Sequence, residues 1–418
     1  MLDKRDFINV LYVISFPVYG IGEYVSAAVS PSIGYIFGIS IHLLIIVFYG
    51  IDLLLKYEFS IKVNWIYLLM TAMQLACVAA LYVAWHKNMP GTNEIGFITK
   101  SILLVIPFHA FIAVLLYNSK HQESFARLTF LSFSLLILIN VIGFYGLGLT
   151  NKTHNIEGRV AFPFLDGFYS AACLLAIVNL MLLYYIKHSV TNPWRLTYLI
   201  GYFLINLVLL YLINSRLTLL IFLGVIVLFV VNRSGKFRGL FLISIFTVPI
   251  LLNMGLLLYK ILNLPVFVFL LKRVNLVDVA TFNGRAFLWQ RALDWLWEDQ
   301  RGLFFGNGAN GQYFLHLVAD LAVHFGVKEE NTHLHSTVLM TVVDQGLFGY
   351  LLLMLISYRV FLYYKNEYKK NSPDAIFCAV IVFILFVMQV DSFVYLGNSG
   401  YVILCILTAR IAVNLKPT

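Results

Sequence analysis

His335, within NTHLHSTVLMTVVDQGLFGY (Asn331 to Tyr350), is the side chain with the best credentials for moving a proton. Asn331 or Thr332 can cap a helix that starts here, which would put His335 in its first turn. The positive end of that helix disfavours imidazolium, so the ring would be neutral and able to accept a proton. Gly346 follows eleven residues later, about 1100° at ~100° per residue, so on one continuous helix it shares the His335 face. Gly349 falls about 40° to the other side, and two glycines under that face let another helix approach closely. His333, two residues from His335, would point elsewhere on such a helix. The plain alternative is that His335 is a structural histidine at a helix end.

Arg159, Arg216 and Arg285 could answer a different need. Each stands at or near the end of an apolar run, where a single arginine can anchor the chain at a membrane surface. Three converging on one cavity would bind a polyanion such as a diphosphate. A catalytic metal is not expected: His316, His324, His333 and His335 share their region with several acids, but no HExxH or DxD pattern occurs. Gly306-Asn-Gly308-Ala-Asn-Gly311 fits GxGxxG, yet no strand precedes it, so a glycine-rich turn is expected rather than a dinucleotide or other cofactor site. The cysteines Cys77, Cys173, Cys378 and Cys405 each lie alone in an apolar run and read as small core residues.

The elements that must hold these groups are membrane helices. The 418 residues are 61% hydrophobic and only 12% charged, which excludes an ordinary soluble domain. About twelve apolar runs have the length of a membrane span. The predicted fold is an all-α, polytopic transmembrane bundle: spans one to nine in 1–260, a large loop with amphipathic helices in 261–333, and spans ten to twelve in 334–418. The ninth span is expected at Leu240–Lys260, and Ile261–Leu271 is apolar but too short to cross. In the loop, Arg285 to Trp297 and Gln312 to Phe325 read as amphipathic helices, with Trp289, Trp295 and Trp297 at headgroup level. Met1 to Asp6 is charged and the next apolar run continues as a span, so no cleaved leader is expected. The basic residues of the short connections, from Lys4 and Arg5 to Lys369, Lys370 and Arg410, fall mostly in alternate connections. The others hold Lys87, Lys100, Lys152, Arg159 and Arg216. The first set should be cytoplasmic, with both termini, and the large loop outside, where no ATP is available. The net charge of +9 therefore reports membrane orientation and not nucleic-acid binding.

At these residues the chain resembles the O-antigen ligase and O-antigen polymerase superfamily of bacterial membrane glycosyltransferases, of the GT-C type. The ligase signature is matched by His335-Ser336, nine residues, then Gly346-Leu-Phe-Gly349. Asn283-Gly284-Arg285, Leu288-Trp289 and Phe305-Gly306-Asn-Gly308 resemble a second family run, and Ser215-Arg216 a Ser-Arg at an outer span end. Gly158-Arg159 is a looser match, and Asp391 sits where the family often has an outer Asp. The resemblance implies a metal-independent, inverting transfer in the bacterial inner membrane, with the site on the periplasmic side. The donor would be a glycan on undecaprenyl diphosphate, and the acceptor a sugar hydroxyl of a glycan or of lipid A–core. Arg216, Arg285 and Arg159 would hold the diphosphate and His335 would be the base, with His333, Ser336, Gly346, Gly349 and Asp391 in support. A chain-length regulator protein is a possible further partner. Both a repeat-unit polymerase and a ligase fit, with the Arg285 run nearer the polymerases. A polyisoprenoid-lipid flippase or transporter is the reading from another class.

Overall fold

A computed structural model describes residues 4–56, 63–89, 92–118, 124–151, 160–165, 167–189, 191–231, 285–324, 328–329 and 332–413. The protein is all-helical, with no strand among these residues. Eight helices precede the loop: α1 (Lys4–Ala28), α2 (Pro31–Lys56), α3 (Trp65–His86), α4 (Glu94–Tyr117), α5 (Ser124–Val141), α6 (Gly167–His188), α7 (Pro193–Ile213) and α8 (Arg216–Val231). Three belong to the loop: α9 (Arg285–Glu298), α10 (Gly311–Phe314) and α11 (Ala319–His324). Three follow it: α12 (Thr337–Lys370), α13 (Ile376–Val390) and α14 (Ser399–Ala412). Nine of the described helices are long and apolar enough to cross a membrane, and α8 and α14 are shorter apolar helices. Together they account for every predicted span except Leu240–Lys260, which lies outside the described residues, as does Ile261–Leu271.

Local chemistry sets the helix ends. Asn64, Asn93 and Asn192 each precede a helix and accept a hydrogen bond from a first-turn amide, at 3.0, 2.7 and 3.1 Å. The tight turn between α7 and α8 is made by Asn214, in the left-handed conformation that asparagine tolerates. Helix α14 is buried throughout, and α6, α12 and α13 are the most buried of the nine long spans, so the core sits among these four. Helices α2, α7 and α8 are largely exposed and face the surroundings with bare apolar side chains.

The helix ends gather at two ends of the bundle. At one, Lys4 pairs with Asp52 at 3.0 Å, Arg5 donates to Asn118, and Asn64 donates to the Ile411 carbonyl. The Tyr184 hydroxyl donates to the Ser372 carbonyl there, and Arg410 pairs with Asp374 at 2.7 Å. Lys4, Arg5, Lys369, Lys370 and Arg410 of the first sequence set lie at this end. The other end carries the start of α6, the start of α12, the end of α13 and the described part of the loop.

The expected straight tenth span is broken. Helix α12 begins at Thr337, three residues later than predicted, and Gly346 inside it has φ 68° and ψ −170°, which is not helical. The loop fills the break. Asn307 and Gly308 amides donate to the Val343 and Asp344 carbonyls at 3.0 and 3.1 Å. In return Leu347 and Phe348 amides donate to the Leu303 and Phe304 carbonyls at 2.7 and 3.2 Å. A buried helix break must find partners for the backbone groups it frees, and the glycine-rich run supplies them. A Cβ on Gly306 would stand 2.0 Å from the Asp344 carbonyl oxygen, and one on Gly346 2.4 Å from the Phe304 backbone. Gly346 and Gly349 therefore do not admit a second membrane helix: Gly346 admits this loop, and Gly349 lies against the Gln345 side chain.

Candidate functional site

Asp391 ends α13 and starts α12. Its carbonyl accepts from both the amide and the hydroxyl of Thr337, at 2.9 and 2.8 Å, and so satisfies a free donor of the α12 N-terminus. Ser336 is buried and caps the helix, its Oγ accepting from the Leu339 amide at 3.3 Å. The cap is therefore Ser336 and not Asn331 or Thr332, of which Asn331 lies outside the described residues.

His335 consequently lies before the helix and not in its first turn. Its φ is +47°, a left-handed conformation that costs a residue with a Cβ on the order of 1–3 kcal/mol and collects at functional sites. Leu334 beside it is clamped. Its amide donates to Gln312 Oε1 at 3.0 Å and its carbonyl accepts from Trp289 Nε1 at 2.8 Å. With Leu334 held inward, His333 and His335 emerge together, their rings 4.7 Å apart. The expectation that they diverge fails because this segment is not helical. The shared-face relation of His335 to Gly346 fails too, since neither residue has helical geometry.

Arg285 is the first residue of α9 and is buried. Its Nη1 donates to the Val390 carbonyl at 2.8 Å, its Nη2 lies 3.5 Å from Asp391 Oδ2, and its guanidinium stacks on Tyr169 at 4.8 Å. The cation thus meets the negative end of α13, a carboxylate and a ring face. Burial is the largest influence on His335 and disfavours its charged form, and the charges of Arg285 and His333 add to it. The ring is held neutral well below the usual imidazole range. A helix dipole was expected to do this; the causes found are burial, Arg285 and His333.

Arg216 is exposed at the start of α8. Thr218, two residues on, lies 3.9 Å from Cys173 Sγ near the beginning of α6, the helix whose Tyr169 carries Arg285. Phe229 near the far end of α8 meets Tyr368 near the far end of α12. Arg216 therefore stands at the same end of the bundle as Arg285, His335 and Asp391. Arg159 lies outside the described residues, as do Asn283 and Gly284.

The loop corrects two other expectations. Helix α9 forms as predicted, but Trp289 and Trp295 are buried against the protein and, of the three tryptophans, Trp297 is exposed. The helix expected over Gln312 to Phe325 is broken into α10 and α11, with His316 at φ 53° between them. The GxGxxG run is the glycine-rich turn expected, and it approaches the α12 backbone closely, as described above. Sequence reasoning also missed Asp344, whose carboxylate accepts from the Gly311 amide at 2.8 Å, the Asn310 amide at 3.2 Å and the Tyr395 hydroxyl. The signal was present: an acid in the apolar run VLMTVVDQG is costly enough to demand partners. Tyr169 and Gln312 gave no such signal.

No curated protein matches the chain. Residues 201–354 match the O-antigen ligase family, a stretch that holds Arg216, Arg285, His335, Gly346 and Gly349. With its helical membrane fold, the protein is similar over residues 201–354 to the O-antigen ligase and polymerase superfamily.

Proposed function

We propose that this protein is a glycosyltransferase that moves a glycan from undecaprenyl diphosphate to a sugar hydroxyl during assembly of a surface polysaccharide, on the outer face of the bacterial inner membrane. The observation that carries this reading is the gathering of Arg285, Arg216 and a neutral His335 at one end of the bundle, opposite the end rich in lysine and arginine. Departure of a lipid diphosphate needs fixed positive charge, and the exposed Arg216 can meet it with two parallel hydrogen bonds. Arg285 adds its charge from behind, where Asp391 and Tyr169 hold it. His335 takes the proton of the attacking hydroxyl as the bond from the anomeric carbon to the diphosphate breaks on the opposite face. Attack from that face inverts the anomeric centre, and the arginines supply the charge that a metal would otherwise provide.

Within this class we favour the repeat-unit polymerase, on the Arg285–Trp289–Gly306–Gly308 run. The His335–Gly346–Gly349 motif favours the ligase that delivers finished chains to lipid A–core. Deletion of the gene separates them. A polymerase deletion leaves single repeat units that still reach the core. Long chains left on undecaprenyl diphosphate beside bare core would assign the ligase reaction.

A further inference from the structure

A second polar chamber opens at the same end of the bundle, outside the family-matched stretch. It measures about 270 Å³ and lies between the end of α1, the starts of α2 and α4, and the connection that leads into α14. Gly22 and Gly34 bring α1 and α2 into backbone contact: a Cβ on Gly22 would stand 2.6 Å from the Gly38 Cα, and one on Gly34 2.2 Å from the Ser26 amide. These glycines line the chamber and contribute no side chain to fill it. Its wall holds Tyr19, Glu23, Ser26, Lys100, Asn151 and Asn398. Charged side chains within membrane helices are costly and mark substrate paths.

We propose that this chamber binds one saccharide unit of the acceptor glycan, an inference that rests on the transferase reading above. The lining selects the ligand class. Hydroxyls, amides, a carboxylate and an ammonium offer both donors and acceptors, which the hydroxyls of a sugar match, and the Tyr19 ring offers an apolar surface for the sugar's C–H face. A polyprenyl tail could use Leu103 and Leu396 but would offer no hydrogen bond to Glu23, Lys100, Asn151 or Asn398. A diphosphate would meet Glu23 beside Lys100. The chamber also shares one short connection with the proposed catalytic groups. Asp391 begins it at Arg285, Tyr395 reaches Asp344, and Gly397 accepts a hydrogen bond from Tyr19 in the chamber wall. A chain joining two glycans needs a hold on the second one, and this chamber lies one connection away from His335.

The native cysteines are all buried, so a cysteine placed at Ser26 can be followed alone. The probe is the lipid-free glycan released by mild acid from the producing cell's lipid-linked repeat units. At ten times its dissociation constant it should slow labelling of Ser26→Cys by a polar maleimide about tenfold, and leave Glu94→Cys, outside the chamber, unaffected. Glu23→Gln should raise the KM for the acceptor repeat unit and spare that for the donor chain. Unchanged labelling of Ser26→Cys at glycan concentrations that saturate wild-type transfer would overturn the proposal, and so would a rise confined to the donor KM. Protection of Ser26→Cys when the wild-type protein shows no transfer would sustain the binding site and remove the transferase reading instead.

Discussion

On the proposed reading, His335 is a base whose strength depends on what surrounds it. In the free protein, burial, Arg285 and His333 all disfavour its protonation. The unprotonated form is the active one, so the acidic limb of kcat/KM should fall below the ordinary imidazole range, and activity should persist through pH 6.5. A bound diphosphate brings negative charge, which raises the pKa, so the limb of kcat should lie at higher pH than that of kcat/KM. His333→Ala removes one opposing neighbour and should move the kcat/KM limb upward with only a modest loss of rate. A limb at the same pH in both proteins would mean that His333 does not act on His335. The two arginines should also separate. Arg216 is exposed, so Arg216→Ala should abolish transfer while the protein accumulates normally, and Arg216→Lys should rescue poorly because an ammonium lacks the planar fork. Arg285→Ala leaves Asp391 buried without its cation, at a cost of about 3–5 kcal/mol, so its protein level should fall as well. Expression and donor binding, measured side by side, check this. The residue types of the site were readable from the sequence. Their partners were not, because Arg285, Asp391 and Tyr169 come from three distant helix ends and meet only through packing.

The element on which the account turns is the broken helix α12. Its break at Gly346 hands four backbone hydrogen bonds to the loop, and Asp344 fastens the same loop through the Asn310 and Gly311 amides. The loop that carries Trp289 and Gln312, and with them Leu334 and His335, is thereby held against the bundle. Gly346→Ala asks a Cβ to occupy backbone space and a conformation open essentially to glycine alone. The backbone strain is on the order of 1–3 kcal/mol before the clash with Phe304 is counted. The expected outcome is a destabilised loop and increased proteolysis between Gln300 and Gly308. Wild-type resistance in this variant would show that the break is not what holds the loop. Apolar length made the helices legible in the sequence. The break was not legible, because a glycine in an apolar helix is common and only the loop docked against Gly346 distinguishes it. The start of α12 was misplaced for a related reason. Asn331, Thr332 and Ser336 are all competent caps, and tertiary bonds from Asp391 and Trp289 decide among them.

At the scale of the whole molecule, the described residues present two unlike ends: one holds Lys4, Arg5, Lys369, Lys370 and Arg410, the other the described part of the loop, Arg216, Arg285, His335 and the polar chamber. That polarity suits a protein whose substrates are lipid-linked and whose chemistry draws on an already activated leaving group instead of ATP. Composition and the alternation of basic connections made the membrane architecture legible, since both follow from the solvent the helices live in. The chamber was not legible, because Glu23, Lys100 and Asn398 lie hundreds of residues apart in part and join only where three helix ends meet. The direct test of the central claim is turnover by the purified protein, with a lipid-linked glycan as donor and a lipid-linked repeat unit as acceptor, in the presence of EDTA. The account predicts transfer by the wild type and a loss of about 10²–10⁴-fold in His335→Ala at equal protein level and equal donor binding. Transfer that stops in EDTA and returns with magnesium or manganese, or a His335→Ala protein that turns over like the wild type, would contradict it.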